Sequence, residues 1–439
     1  MSRLAAELRA AVASGDWEPL RAQLARGVVM RSSSERGRVV LRGPEAVLAQ
    51  LAGPGPGEVA DWDAREWPGG AAISFEWHGE SGPDRRRWYV RRDEAGRVGE
   101  LWSAAARPAV AAGSVRPPRA LLDALGPGAR AEPLSHGGNS GSALLRVLRD
   151  GAPPVILKRV EAGADWLARV TADDGRTARL FEAGAFAAMP EVVRHGVVGA
   201  HRDGAAAWIV MEDLGALLLP EHQRLSRDES RQILRAAAAL HDAFAGAPPD
   251  GAASLEARLG MASPAVARTE RAGSDLLPKQ FEHAWEAFAE VVPPDVAEPV
   301  LAAAEAPQAL AAQLREAAGG ATLIHGDLRD DNLGLDGERI VLIDWDLATA
   351  GTPTVDFAWY LAQDAWRIDA GHDELEADHR AAHPELPDRE VELGMLSGLV
   401  QYGWLLAHSA RVHPDPAETA WGRAELDWWV PRVRRALAE

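Results

Sequence analysis

The residues best suited to chemistry lie in one segment, His325-Gly-Asp327-Leu-Arg329-Asp-Asp-Asn332. Twelve residues after the asparagine comes Asp344, in Leu342-Ile343-Asp344-Trp345-Asp346. Asp327 is a carboxylate at an expected strand-to-loop turn, suited to orienting an attacking hydroxyl. Asn332 and Asp344 are hard oxygen donors of the kind that Mg²⁺ prefers. Such a set fits phosphoryl transfer, which asks for a group to orient the nucleophile and for metal ions to neutralise phosphate charge. Arg329 is placed either to stabilise charge on the transferring group or to pair with Asp330 or Asp331.

Lysine is scarce. Of 47 basic residues only Lys158 and Lys279 are lysine, and a compact ammonium does things that a planar guanidinium cannot. Lys158 lies near the end of the apolar run PPVILKRV (153–160). Before it comes the turn Ser135-His-Gly137-Gly138-Asn139-Ser140-Gly-Ser142. Glycine permits close backbone approach to phosphates, and Asn and Ser supply donors. The turn alone reads as a hairpin. With VILK after it, it reads as a phosphate cover through Gly137, Gly138, Asn139 and Ser140. Lys279, in LLPKQF, has no such context and reads as a surface residue.

The positioning elements follow from pattern. The chain opens with Leu4, Leu8, Ala11 and Val12 at helical spacing, ended by Gly15-Asp16. Asp16 is expected to cap a second helix through Leu20 and Leu24. Residues 71–77, 86–92 and 97–102 read as half-buried strands of a curved antiparallel sheet. Residues 103–120, rich in Ala, Pro and Gly, read as a linker. Beyond it, 131–151 and 153–160 read as strand–turn–strand, 163–188 as helical, and 208–215 as a buried strand entering a polar hinge. Ser226 and Glu229 have capping-box spacing for a helix to about Phe244. Further helices are expected between 255 and 317, strand–loop–strand over 321–346, and a Trp-rich helical tail over 355–437.

The pattern H-G-D-x-x-x-x-N followed by I-D-W, at His325, Gly326, Asp327, Asn332, Ile343, Asp344 and Trp345, resembles that of the aminoglycoside phosphotransferase and choline kinase family over about 119–437. The resemblance implies a protein-kinase-like fold and transfer of the γ-phosphoryl group of ATP or GTP to a hydroxyl. It implies Asp327 as catalytic base, with Arg329 beside it, and Asn332 and Asp344 as Mg²⁺ ligands. Lys158, the Gly-rich turn, and Glu212 and Leu214 at the hinge would bind the nucleotide. His325 and Asp356 would have structural roles in the catalytic loop. One departure stands out: the position where the lysine's carboxylate partner belongs is Thr177. Glu182 lies on the wrong helical face, Asp173 lies on the same face, and the partner is left unassigned. Residues 1–106 resemble the NTF2-like (SnoaL-type) fold, where Asp63 and His78 are acid–base candidates that otherwise read as surface residues. The expected fold class is therefore α+β. It comprises residues 1–106, a linker over 107–119, a strand-rich small lobe over 120–214 and a helical large lobe over 215–439.

Composition narrows the alternatives. The 439 residues are 47% hydrophobic and 26% charged, the balance of a soluble globular protein, and contain no cysteine. This excludes disulfide, Cys-ligated metal and Cys-nucleophile chemistry. Net charge is −18, against a nucleic-acid partner. It divides into +1 for residues 1–107 and −19 for the rest. No signal-peptide core or spanning segment is legible, so a cytoplasmic location is expected. Eleven residues separate Asp344 from Asp356, too few for a long activation segment that docks peptides, so a small acceptor is expected. Asp346, Asp364, Asp369, Asp373, Glu374, Glu376 and Asp378 suggest a negative cleft for an amine-bearing molecule. Trp359, Trp366, Trp404, Trp421, Trp428 and Trp429 lie in the same half and read mostly as core. A pseudokinase, a ligand-binding role for the N-terminal unit, a kinase of a natural-product peptide, and a dimer through that unit are left open.

Overall fold

The structure, a computed structural model, describes residues 3–34, 37–52, 57–67, 70–79, 82–105, 115–134, 142–161, 163, 166–219, 223–271, 276–413 and 416–438. The first helix, Arg3–Ser14, buries Leu4, Leu8, Ala11 and Val12, as their spacing requires. It ends at Gly15 in the left-handed region (φ 72°). Asp16 does accept from the Glu18 amide at 3.1 Å. The element it opens is a 3₁₀ turn, Glu18–Gln23, and not the expected helix; Leu24 already has extended backbone. The β-branched pair Val28-Val29 lies in that strand and favours it over helix.

Six strands form the first sheet: β1 (Leu24–Ser34), β2 (Gly37–Arg42), β3 (Glu58–Trp67), β4 (Gly70–Gly79), β5 (Gly82–Arg92) and β6 (Val98–Ala105). Their order is β2-β1-β6-β5-β4-β3. The expected sheet was wholly antiparallel, but β1 and β6 run parallel. The β1–β2 hairpin inserts beside the last strand of the β3–β6 meander. Strands joined by so long a connection are free to run the same way. Ile73, Phe75 and Trp77 alternate into one core with Trp88 and Val90. His78 is exposed on β4, and the Asp63 side chain lies outside the described residues.

The second sheet has the order β11-β12-β9-β8-β7. Its strands are β7 (Arg130–Pro133), β8 (Ala143–Arg149), β9 (Ala152–Glu161), β11 (Val197–Asp203) and β12 (Ala206–Glu212). β10 (Val193–Arg194) pairs elsewhere, with β16 (Arg339–Leu342). Alternation fixes which side chains face the cleft. Val155 and Leu157 of β9, with Trp208 and Val210 of β12, fill one small core. Ala207 and Ile209 join the main core on the other face. Lys158 pairs with Ile209 in this register and shares that second face.

In the large lobe, Ser226 and Glu229 form the expected capping box on the helix Arg227–Ala243. Five helices between 255 and 317 follow β13 (Ala253–Ser254). β14 (Thr322–Ile324) leads into the loop bearing Asp327. β15 (Leu333–Asp336) and β16 (Arg339–Leu342) form a hairpin, followed by β17 (Thr349–Gly351). The helix Pro353–Asp364 then packs against Asp388–Arg411, which packs in turn against Pro416–Ala438. Trp359, Trp404 and Trp429 are buried in this core, whereas Trp366 is 43% exposed. The strand-rich small lobe and helix-rich large lobe are both present. No helix among the described residues is long and apolar enough to cross a membrane.

Candidate active site

Gly326 and Asp356 set the geometry of the Asp327 loop. Gly326 has φ 78°, and a Cβ there would overlap the Leu347 carbonyl, so only glycine fits. The carboxylate of Asp356, on the helix Pro353–Asp364, accepts from the His325 and Gly326 amides, each at 2.7 Å. His241 lies 3.3 Å from the same carboxylate. Burial alone would raise the Asp356 pKa, but the His241 contact, His325 and the Gly326 amide hold it below its ordinary value. His325 Nδ1 accepts from the Asp327 amide at 3.3 Å, and Nε2 donates to Ile343 O at 3.0 Å. His325 thus ties the loop to the strand leading to Asp344.

Both carboxylate oxygens of Asp327 have donors. Asn332 Nδ2 donates to Oδ2 at 2.8 Å and to the Asp327 carbonyl at 3.0 Å. Trp359 Nε1 donates to Oδ1 at 2.8 Å. Behind the indole, Arg258 is wholly buried. Its guanidinium carbon lies 4.3 Å from the ring centre, and its Nε donates to Gly326 O at 2.5 Å. Burial pushes the Arg258 pKa down to about 10, against the pull of Asp327 and Asp356. Of the two readings considered for Arg329, the structure shows the ion pair: its guanidinium lies 2.7 Å from Asp331 Oδ2, and Nε lies 3.4 Å from Asp327 Oδ1. Burial opposes its charge, but Asp327, Asp331 and Asp330 hold the pKa above its ordinary value.

Across the cleft, Lys158 Nζ lies 2.7 Å from Asp344 Oδ1 and 2.7 Å from Asp346 Oδ2. Burial would lower the lysine pKa, but the two carboxylates outweigh it and hold the ammonium well above its ordinary value. Asp344 has φ 65° and ψ 68°, a backbone conformation that a non-glycine residue adopts at an energetic cost. Thr177 Oγ1 donates to Asp346 Oδ1 at 2.7 Å. The other residues weighed as lysine partners are engaged elsewhere. Glu182 pairs with Arg202, and Asp173 accepts from the Gly175 and Arg176 amides. The Ile343 amide, next to Asp344, donates to the Asn332 carbonyl at 3.0 Å, so Lys158, Asp344, Asn332, Asp327 and Arg329 are joined by one chain of contacts.

The two hinge positions differ: the Glu212 side chain is 42% exposed, and that of Leu214 is buried. Glu212 pairs with Arg194 at 2.8 Å, and Leu214 is buried against Gly196. Gly137, Gly138, Asn139 and Ser140 lie outside the described residues. So does the Lys279 side chain. Each of the seven acidic residues expected to make a negative cleft has a cationic neighbour: Asp346 has Lys158, Asp364 Arg367, Asp369 Arg224, Asp373 Arg432, Glu374 Arg227, Glu376 Arg380, and Asp378 Arg227 and Arg231. Arginine is abundant in this chain, and its forked donors answer carboxylates wherever helices meet.

Sequence reading missed Trp359 and Arg258. Trp359 follows Asp356 by three residues on one helix, so the two share a face toward the loop; that spacing was an available signal. Arg258 had none, because it meets the loop only through tertiary packing.

The donor set suits Mg²⁺. Asp344 keeps 36% of its side chain exposed. Asn332 commits its amide nitrogen to Asp327, which leaves a carbonyl oxygen as its remaining polar atom. Among the described residues no group of three or more His, Cys, Asp or Glu is placed to hold a metal by itself.

Known proteins resemble parts of this chain. No curated protein gives a match. Among solved structures, the aminoglycoside phosphotransferase APH(3'')-Id from Streptomyces rimosus is 19% identical, covering 64% of this chain and 96% of that one, with a TM-score of 0.40. A choline/ethanolamine kinase family protein from Mesorhizobium loti is 15% identical, covering 74% and 97%, with a TM-score of 0.41. A protein with a cystatin-like fold from Silicibacter pomeroyi is 20% identical, covering 25% and 76%, with a TM-score of 0.21. The model of the phosphotransferase enzyme family matches residues 130–393, a span that contains Lys158, Asp327, Asn332 and Asp344, and the chain belongs to that family.

Proposed function

We propose that this chain transfers the γ-phosphoryl group of ATP or GTP to a hydroxyl of a small, amine-bearing molecule. The observation that carries the reading is the cleft itself. Asp327 has a fixed orientation on one side, and Lys158 reaches Asp344 from the other. The acceptor is small because the helix Pro353–Asp364 begins nine residues after Asp344, with no segment between them long enough to dock a peptide. The amine expectation rests on carboxylates that already have an arginine or, for Asp346, Lys158 beside them. An amine on the acceptor must therefore compete with those pairs, and neutral hydroxylated acceptors belong in the same test.

In the proposed reaction the acceptor hydroxyl oxygen bonds to the γ-phosphorus as the bond to the β-phosphate oxygen breaks. The hydroxyl proton passes to Asp327, whose carboxylate faces the cleft with Trp359 and Asn332 holding its plane. Lys158 binds the nucleotide phosphates as a buried ammonium, and Arg329 lies where it can offset charge on the transferring group. Mg²⁺, held by Asp344 and Asn332, would neutralise charge on the phosphates. Glu212 and Leu214 would contact the base at the hinge.

A nucleotide-consumption screen of the full chain tests this reading, with panels of hydroxylated amines, sugars and antibiotics and with ATP and GTP compared. The expected result is acceptor-dependent release of nucleoside diphosphate, strongest with amine-bearing acceptors. A flat response across all panels, with no nucleotide-induced thermal shift, would replace it with a pseudokinase. Turnover on sugars alone would remove the amine.

A further inference from the structure

Lys158 has two carboxylate neighbours, and their circumstances differ. Asp344 is 36% exposed in its side chain and touches the lysine through Oδ1. Asp346 is 14% exposed, and both of its oxygens are committed: Oδ2 to Lys158 at 2.7 Å and Oδ1 to Thr177 at 2.7 Å. Its main chain is held as well, because Arg176 donates to the Asp346 carbonyl. Arg176 and Thr177 are adjacent, both buried, and open the helix Arg176–Glu182. Two consecutive residues of the small-lobe helix therefore clamp one residue of the large lobe.

In kinases a carboxylate on this helix pairs with the nucleotide lysine, and that pair must be in place for catalysis. Here the helix position carries a hydroxyl donor and no carboxylate. A buried ammonium without a counter-charge is strongly unfavourable. Once Asp344 shares its charge with a metal, Lys158 needs a second carboxylate.

Resting on the nucleotide-site reading above, we infer that Asp346 is the standing partner of Lys158, and that Thr177 is a positioning residue that orients Asp346. Donor and acceptor have exchanged places. The helix supplies the hydrogen-bond donors, and the 3₁₀ turn Trp345–Leu347, which follows Asp344, supplies the carboxylate. Asp344 is then free to meet a cation without leaving the lysine unpaired, and the helix is tied to the large lobe directly.

The test measures ADP affinity of the full-length protein by calorimetry in EDTA, where a metal ligand has no role, and nucleotide KM against kcat with Mg²⁺. Thr177→Val removes the hydroxyl without changing charge. It is expected to weaken ADP binding in EDTA three- to tenfold and to raise nucleotide KM by a similar factor, with a smaller effect on kcat. Thr177→Ser restores the donor and recovers most of the loss. Asp346→Ala is expected to weaken ADP binding in EDTA about fivefold. Asp344→Ala is expected to tighten it, as removing a negative charge beside phosphates does when lysine positioning is kept. The inference is overturned if Thr177→Val binds ADP like the native chain, if Thr177→Ser is as impaired as Thr177→Val, or if Asp346→Ala tightens binding as Asp344→Ala does. Failure of the native chain itself to bind ADP would overturn the nucleotide site and this inference together.

Discussion

Asp327 and Asp344 are both carboxylates that follow a β-strand in the same lobe, yet they are held in different ways. Asp327 is fixed by its own lobe: Asn332 five residues on, Trp359 on the next helix, and Asp356 beneath the loop. Asp344 is fixed across the cleft by Lys158, 186 residues earlier, and its backbone is left-handed. The surroundings of Asp327 are thus assembled within one lobe, and the Lys158–Asp344 contact exists only where the two lobes meet. On the proposed reading the first is the base side and the second the nucleotide side, so the base stays aligned while the lobes move and nucleotide binding is coupled to their closure.

Three experiments would break or sharpen this contrast. The largest effect is expected from Asp327→Asn, which keeps the Oδ1 contact with Trp359 and removes the proton acceptor. Turnover should fall by about 10²–10⁴-fold while ADP affinity stays near that of the native chain. A parallel loss of ADP affinity would show that the two sides are not separable. Next, Trp359→Phe keeps the ring over which Arg258 stacks and removes only the Nε1 donor. A hydrogen bond to a charged group contributes about 1.5–3 kcal/mol, so kcat should fall roughly ten- to 150-fold with nucleotide KM unchanged. An equal change in KM would place Trp359 on the nucleotide side as well.

The smallest effect concerns pH. His241 bridges Asp356 and His383. Burial and then the neighbouring His241 push the His383 pKa down to about 4, and burial pushes buried His379 down as well. A histidine whose folded pKa lies below its unfolded value stabilises the fold above about 6.5 and loses that contribution as pH falls toward 4. Chemical denaturation between pH 7 and 4 should therefore show declining stability, with a shallower decline in His383→Gln. ADP affinity of the protein that remains folded should change less than turnover. An unchanged slope would remove the histidines from the support of the base side.

The difference between the two sides also explains what was legible in the primary structure. The loop residues, their order and the β15–β16 hairpin around them are local, so their spacing announced the base, the asparagine and the second aspartate. Structural roles for His325 and Asp356 came from the family resemblance that this pattern carries. The capping box at Ser226 came from side-chain chemistry alone. The 3₁₀ turn after Asp16 and the parallel pairing of β1 with β6 were not legible, because each depends on competition between local preference and sheet pairing far along the chain.

The sequence by itself determined the class of chemistry. Absent cysteine, one lysine at the end of an apolar strand, and Asp-x4-Asn followed by Ile-Asp-Trp-Asp leave few reactions other than phosphoryl transfer. Tertiary structure decided which carboxylates answer Lys158, that an indole holds Asp327, and that the acidic residues after the Asp327 loop have arginine or Lys158 beside them. The physical reason is range. A strand or turn is specified by neighbours within a few residues. A buried charge finds its partner only when distant segments close over it, and the cost of leaving it unpaired selects whichever carboxylate the fold brings within reach.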